Sequence, residues 1–133
     1  MHGVVADTHA AVWYLTGAPK ISTVAVERMR HSVLEGDGIL VPSICLVEIV
    51  YLLEKGRIPA ESWERLAQAL ETPESGYRVV PLDDAIARAV SRVPRAEVPE
   101  LPDRIIAATA LHLGLPLVTR DRKIQATSIE TIW

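Results

Sequence analysis

Residues 101–121 read LPDRIIAATALHLGLPLVTRD, and this stretch divides into acid, helix, turn, strand and acid. Asp103 follows Pro102 and is predicted to cap a helix that starts at Arg104. Ile106, Ala110 and Leu113 then fall at i, i+4 and i+7, which makes one helical face apolar. Gly114 stands where a C-terminal cap belongs, and Pro116 prevents continuation. Leu117-Val118-Thr119 is a short run of strand type, with Asp121 just past its end. A helix joined to a strand by a tight Gly-Leu-Pro turn runs antiparallel to it. The start of the helix and the end of the strand therefore share one side of the fold, and Asp103 and Asp121 become neighbours.

Working outward, the chain repeats the alternation. Val4-Val5-Ala6 is a strand with Asp7 at its end, followed by a helix from Ala10 to Leu15 that Gly17-Ala18-Pro19 breaks. Ser22 caps an amphipathic helix marked by Val26, Met29 and Val33. Ile39-Leu40-Val41 is the second strand, closed by Pro42; Ser43 is read as the cap of a helix from Ile44 to Lys55 that Gly56 ends. After Pro59, the residues Trp63, Leu66, Ala67 and Leu70 form another apolar stripe. Tyr77 to Val80 is the third strand, Asp83 caps the next helix, and Ser128 to Trp133 is read as the last strand. Strands alternating with helices predict an α/β fold: a three-layer α/β/α sandwich around a mostly parallel sheet. Right-handed crossovers bring all C-terminal strand ends to one edge, where such sheets bind ligands.

The bulk numbers bound the function. A length of 133 residues predicts a single domain spanning 1–133. No apolar run approaches the ~18 residues of a membrane span. The start MHGVVAD has no basic segment of the secretory type, and the lone Cys45 excludes an internal disulfide, so a cytoplasmic protein is expected. A net charge of −3 argues against a nucleic-acid coat protein but not against a nuclease, whose metal site is built from carboxylates.

Asp7, Asp103 and Asp121 all fall at the predicted edge. Glu48 is a fourth candidate: within SICLVEIVYLL it is the only charged residue between Asp37 and Glu54. Two unit charges ~4 Å apart repel by about 4 kcal/mol at an effective dielectric near 20. Four carboxylates in one pocket would exceed a domain's usual stability margin of roughly 5–15 kcal/mol without a cation. Oxygen ligands suit Mg²⁺ or Mn²⁺, one or two per site, and no His/Cys cluster suggests zinc. Such a site fits hydrolysis of a phosphodiester. Each acid taken singly also has a plain role: Asp7 and Asp103 as helix caps, Asp121 as a turn residue, Glu48 as the partner of a buried arginine. Their joint placement at one edge is what favours the functional reading.

The surrounding residues carry weaker expectations. Thr119 can donate to a phosphate or serve only as a strand residue, and Thr8 can do the same or only cap. His9 can touch substrate or pack. Arg104, Arg120, Arg122 and Lys123 can bind RNA phosphates or offset the acids. Glu100 is read as a solvated loop residue, His112 as structural, and His2 and His31 as surface residues. Trp13, Trp63 and Trp133 are read as packing or interface anchors rather than nucleotide stackers, and Cys45 as core. A Mg²⁺-dependent phospho-signalling receiver is the first alternative, but it needs adjacent acids after strand one and an aspartate closing strand three. Here Asp7 stands alone, and Pro81 follows Val80.

DTHAAVWYL, SICLVEIVYLLEKGRI and PDRIIAATALHLGLPLVTRDRKI together resemble the PIN-domain family, specifically its small VapC-type ribonuclease toxins. The resemblance spans almost the whole chain, and DRIIAATAL…LVTRDRKI is its most specific block. It implies an α/β/α sandwich and a Mg²⁺- or Mn²⁺-dependent endoribonuclease acting on RNA. It also implies a homodimer inhibited by a small antitoxin. The family's acids map onto Asp7, Glu48, Asp103 and Asp121, with Thr119 in the position of its site hydroxyl. Glu100 stands where near members often carry aspartate. The second alternative is a PIN-type binding subunit without catalytic activity, in which the acids are only caps and ion-pair partners.

Overall fold

The apolar triplet Val4–Ala6 (β1) is wholly buried and forms the middle of the sheet, with a parallel neighbour on each side. The computed structural model describes residues 3–133. His2, expected at the surface, lies outside them. From β1 the chain runs through α1 (Thr8–Thr16) and α2 (Thr23–Leu34) to β2 (Ile39–Pro42), then through α3 (Ser43–Glu54) and α4 (Ala60–Glu71) to β3 (Tyr77–Val80). It continues through α5 (Asp84–Ala89) and α6 (Leu101–Leu113) to β4 (Leu117–Val118), and through α7 (Arg122–Gln125) to β5 (Thr131–Ile132). The five strands are all parallel, in the order β3-β2-β1-β4-β5. With helices on both faces this is the expected α/β/α sandwich, with a wholly rather than mostly parallel sheet.

The order reverses at β1. The first crossovers build outward through β2 and β3; the chain then returns to lay β4 against the other side of β1, pairing Val5 with Leu117 and Ala6 with Val118. A crevice opens beyond the strand ends at such a reversal. In a phospho-signalling receiver β1 sits between β2 and β3; here it sits between β2 and β4. Met29, Ile39, Ile49, Leu66, Ile106, Leu117 and Ile124 fill the core on either side of the sheet. The helices also pack on one another, α3 against α6 and α4, and α5 against α6.

Three helix starts differ from expectation, the first being α1, which begins at Thr8 and not Ala10. α6 begins at Leu101, not Arg104, so Glu100 occupies the N-cap position and Asp103 lies inside the first turn. Pro102 permits this: it lacks the N–H that a first helical turn leaves unpaired, and its fixed φ suits that turn. α3 begins at Ser43 itself, with Pro42 at the cap position and no side-chain cap. The Ser43 hydroxyl instead accepts a hydrogen bond from the Leu82 backbone N–H at 2.9 Å, tying the start of α3 to the segment after β3. Ser22 and Asp83 cap α2 and α5 as expected.

Candidate active site

Asp7 is placed by two neighbours. It is the N-cap of α1 and accepts a hydrogen bond from the Ala10 N–H at 2.8 Å. The Thr119 hydroxyl stands near its carboxylate and favours the charged form. Thr119 is fully buried just beyond β4, and its oxygen accepts from the Asp121 N–H at 3.0 Å. One buried hydroxyl is thus bonded at the end of β4 and lies beside the acid at the end of β1. Asp121 caps α7, accepting from the N–H groups of Lys123 at 2.8 Å and Ile124 at 3.3 Å. Asp7 fills its expected role as a cap, Asp121 caps a helix where a turn residue was expected, and both side chains still line the crevice.

Glu48 arrives from α3. Its partner is not an arginine: the buried Thr8 donates to Oε1 at 2.6 Å. Asp103 arrives from α6, and because Glu100 holds the cap position its carboxylate is not used as a cap. The four acids line one cleft of about 380 Å³ at the strand reversal, together with the apolar Leu52 and Ile106. Cys45 is buried and donates weakly from Sγ to the Ala6 carbonyl oxygen at 3.9 Å. Burial, with Asp7, Glu48 and Asp103 nearby, pushes its thiol well above the usual range.

The electrostatics are those of uncompensated charge. Among the described residues none of the four acids forms an ion pair; the pairs present are one-turn surface contacts such as Arg88–Asp84. Burial raises Asp7 above the ordinary carboxylate range, opposed by the nearby Thr119 hydroxyl, the Ala10 N–H and His9. Asp103 is pushed up to about 6, first by burial and then by Asp121, Glu48, Asp7 and Glu100. An all-oxygen, acid-only donor set fits a hard divalent cation. Among the described residues no three His, Cys, Asp or Glu side chains stand close enough together to hold a metal ion as they are placed, so binding one requires the acids to draw inward.

Other candidates divide. Arg104 does not serve the cleft: its guanidinium donates to the carbonyls of Val93, at 3.0 and 2.9 Å, and Val90, at 3.0 Å. The turn at residues 90–92 has carbonyls to satisfy, and a long side chain one helical turn into α6 reaches them. Glu100, Arg122 and Lys123 are exposed and do not line the cleft, whereas His9 and Arg120 do. His112, expected to be structural, is exposed in the last turn of α6. Trp13 and Trp133, read from the sequence as packing anchors, form part of the cleft wall. Nothing in their spacing signals this, because they come from α1 and from residue 133 and meet only in the fold.

The model of the PIN domain family matches residues 4–130. Ribonuclease VapC22 of Mycobacterium tuberculosis is 29% identical over 131 residues, covering 95% of this chain and 92% of the relative. Among solved structures, VapBC2 from Rickettsia felis, bound to a DNA fragment from its promoter, superposes with a TM-score of 0.72 at 17% identity, covering 97% of this chain and 96% of that one. A toxin–antitoxin complex from Klebsiella pneumoniae superposes with a TM-score of 0.63 at 22% identity, covering 98% of this chain and 96% of that one. At these identities the structural likeness is one of fold. The family match runs from β1 through α7 and takes in every acid of the cleft, and the chain therefore belongs to the PIN domain family.

Proposed function

We propose that this protein is a divalent-cation-dependent endoribonuclease, the toxin of a toxin–antitoxin pair. The observation that carries the reading is the set of four acids, from four separate elements, lining one cleft with none of them in an ion pair among the described residues. A fold stabilised for its own sake would pair or disperse them. Likeness to a ribonuclease of the VapC type over nearly the full chain supports the substrate class, and the toxin–antitoxin complexes among the structural neighbours support the partner.

The reaction is hydrolysis. A water oxygen bonds to phosphorus, the bond from phosphorus to one ribose oxygen breaks, and the departing oxygen takes a proton. Asp7, Glu48, Asp103 and Asp121 would hold one or two Mg²⁺ or Mn²⁺ ions, which supply positive charge at the phosphate and a more acidic water. The protein's own contribution is placement. Thr8 fixes Glu48, the Ala10 N–H and Thr119 fix Asp7, and the start of α7 fixes Asp121. Thr119, expected in the site, is a positioning residue, since its hydroxyl is buried, accepts from the Asp121 backbone N–H and does not line the cleft. Asp103 has the most freedom and the most crowded charge. The reading includes a small antitoxin, a homodimer and a cytoplasmic location beside the RNA.

The test is cleavage of single-stranded RNA by the purified protein in Mg²⁺, with and without chelator. Chelation, Asp7→Asn and Asp103→Asn are each expected to lower the rate at least ~100-fold while circular dichroism stays native. Wild-type cleavage by either variant removes the site. If calorimetric titration with Mn²⁺ shows no binding at the cleft, the protein is a binding subunit instead.

A further inference from the structure

Trp13 gathers a second kind of chemistry beside the acids. The Arg120 guanidinium lies 4.6 Å from its ring centroid, and the Lys20 ammonium 5.7 Å. The His9 ring is 5.1 Å away, tilted by 42°, and the Trp133 ring 6.1 Å away, tilted by 57°. Arg120 shares the cleft with four carboxylates, yet among the described residues it forms no ion pair with any of them. A cation held over an indole face gains attraction from the ring, and that contact keeps the guanidinium on the wall rather than on the acids. Trp13 also borders a second hollow of about 330 Å³, which Lys20 and Arg57 line. The cleft thus has an acidic floor, an aromatic wall and a cationic rim that continues past the wall.

That combination matches a single-stranded nucleotide, which pairs a flat π-face with an anionic link at a fixed repeat. Acids with a bound cation take the phosphate that is cut; aromatic rings and unpaired cations take the next base and phosphate. We propose that Trp13, Trp133 and Arg120 form a nucleotide subsite flanking the scissile phosphate. Arg120 swings from the Trp13 face to donate to the adjoining phosphate, a base stacks on the indole face it leaves with Trp133 closing the side, and the strand continues toward Lys20 and Arg57. The inference rests on the ribonuclease reading and adds to it the direction in which RNA leaves the acids. It makes Arg120 a substrate-binding residue, and it replaces the packing role read for the two tryptophans.

Binding tests it separately from cleavage. Tryptophan fluorescence is followed in a Trp63→Phe background in Ca²⁺, which occupies the acids in place of Mg²⁺ but, being larger and less polarising, slows turnover. The probes are a mixed-sequence ten-nucleotide RNA and an abasic ribose-phosphate ten-mer. The RNA is expected to quench and to bind more tightly than the abasic chain. Trp13→Leu and Trp133→Leu are expected to weaken RNA binding about 5- to 100-fold and to leave the abasic chain nearly unaffected. Arg120 is exposed, so Arg120→Met folds regardless of the tryptophans. It is expected to weaken both probes, to lower the slope of log affinity against log salt by about 0.7, and in Mg²⁺ to raise KM more than it lowers kcat. Equal binding of the two probes overturns the subsite, as does an unchanged salt slope in Arg120→Met. So does loss of antitoxin binding in these variants with RNA binding intact. Cleavage that is insensitive to all three variants keeps the nuclease and discards the subsite; RNA binding as expected, without cleavage by the parent in Mg²⁺, does the reverse.

Discussion

Asp103 shows at the scale of one residue what the cleft does to its occupants. Burial and neighbouring acids push it up to about 6, above the ordinary aspartate value. Between about pH 4 and pH 6 the folded state therefore holds more protons than the unfolded state. This stabilising contribution is complete below pH 4 and lost as pH rises through 6. In chelator, Asp103→Asn is expected to be more stable than the parent at pH 7 by roughly 1–2 kcal/mol, allowing for partial exposure, and equal to it below pH 4. Denaturant unfolding across that range checks the sign; a variant less stable at pH 7 would show that the acids are not crowded. The sequence made all four acids legible, because each stands at a strand end, a helix start or alone in an apolar run. It did not disclose Thr8 as the donor to Glu48, since the two are forty positions apart and nothing local links them.

Helices and turns carry the next level. Capping chemistry named Ser22, Asp83 and the αL glycine at Gly114 correctly, since each uses groups within four residues. The starts of α3 and α6 escaped the same rules. At one, Ser43 is engaged by Leu82 from another segment; at the other, proline allows the helix to begin earlier. The turn into β2 depends on Gly38, whose φ is +79° and whose added Cβ would stand 2.7 Å from the Gly76 carbonyl oxygen. Gly38→Ala is expected to cost at least about 2 kcal/mol, or roughly 8 °C in Tm at this chain length. Differential scanning calorimetry measures it. Loss of less than a degree would mean that β2 and β3 can separate there without consequence.

For the whole molecule, the reversal of strand order at β1 converts a sheet into a site. Asp7 and Asp121 follow the neighbouring strands β1 and β4 into one cleft, and α3 and α6 bring Glu48 and Asp103 to the same cleft. A cation that binds there binds only the folded chain, because the unfolded chain scatters the acids. Mn²⁺ at a hundred times its Kd is therefore expected to stabilise the protein by about 2.7 kcal/mol, raising Tm by several degrees. Asp103→Asn is expected to lose most of that rise. A rise of equal size in Asp103→Asn would place the ion elsewhere.

The sequence by itself determined the alternation of strands and helices, the parallel sheet, the edge at which the acids gather and their identity. Those follow from short-range periodicity, from caps and from the handedness of crossovers, which operate within a few tens of residues. Only the tertiary structure decided that Thr8 and Thr119 hold the acids, that Arg104 is spent on carbonyls of residues 90 and 93, and that Trp13, Trp133 and Arg120 form one wall. Each of these contacts joins segments remote along the chain. Which remote side chains meet is set by how helices seat on the sheet, a property of packing that no local pattern encodes.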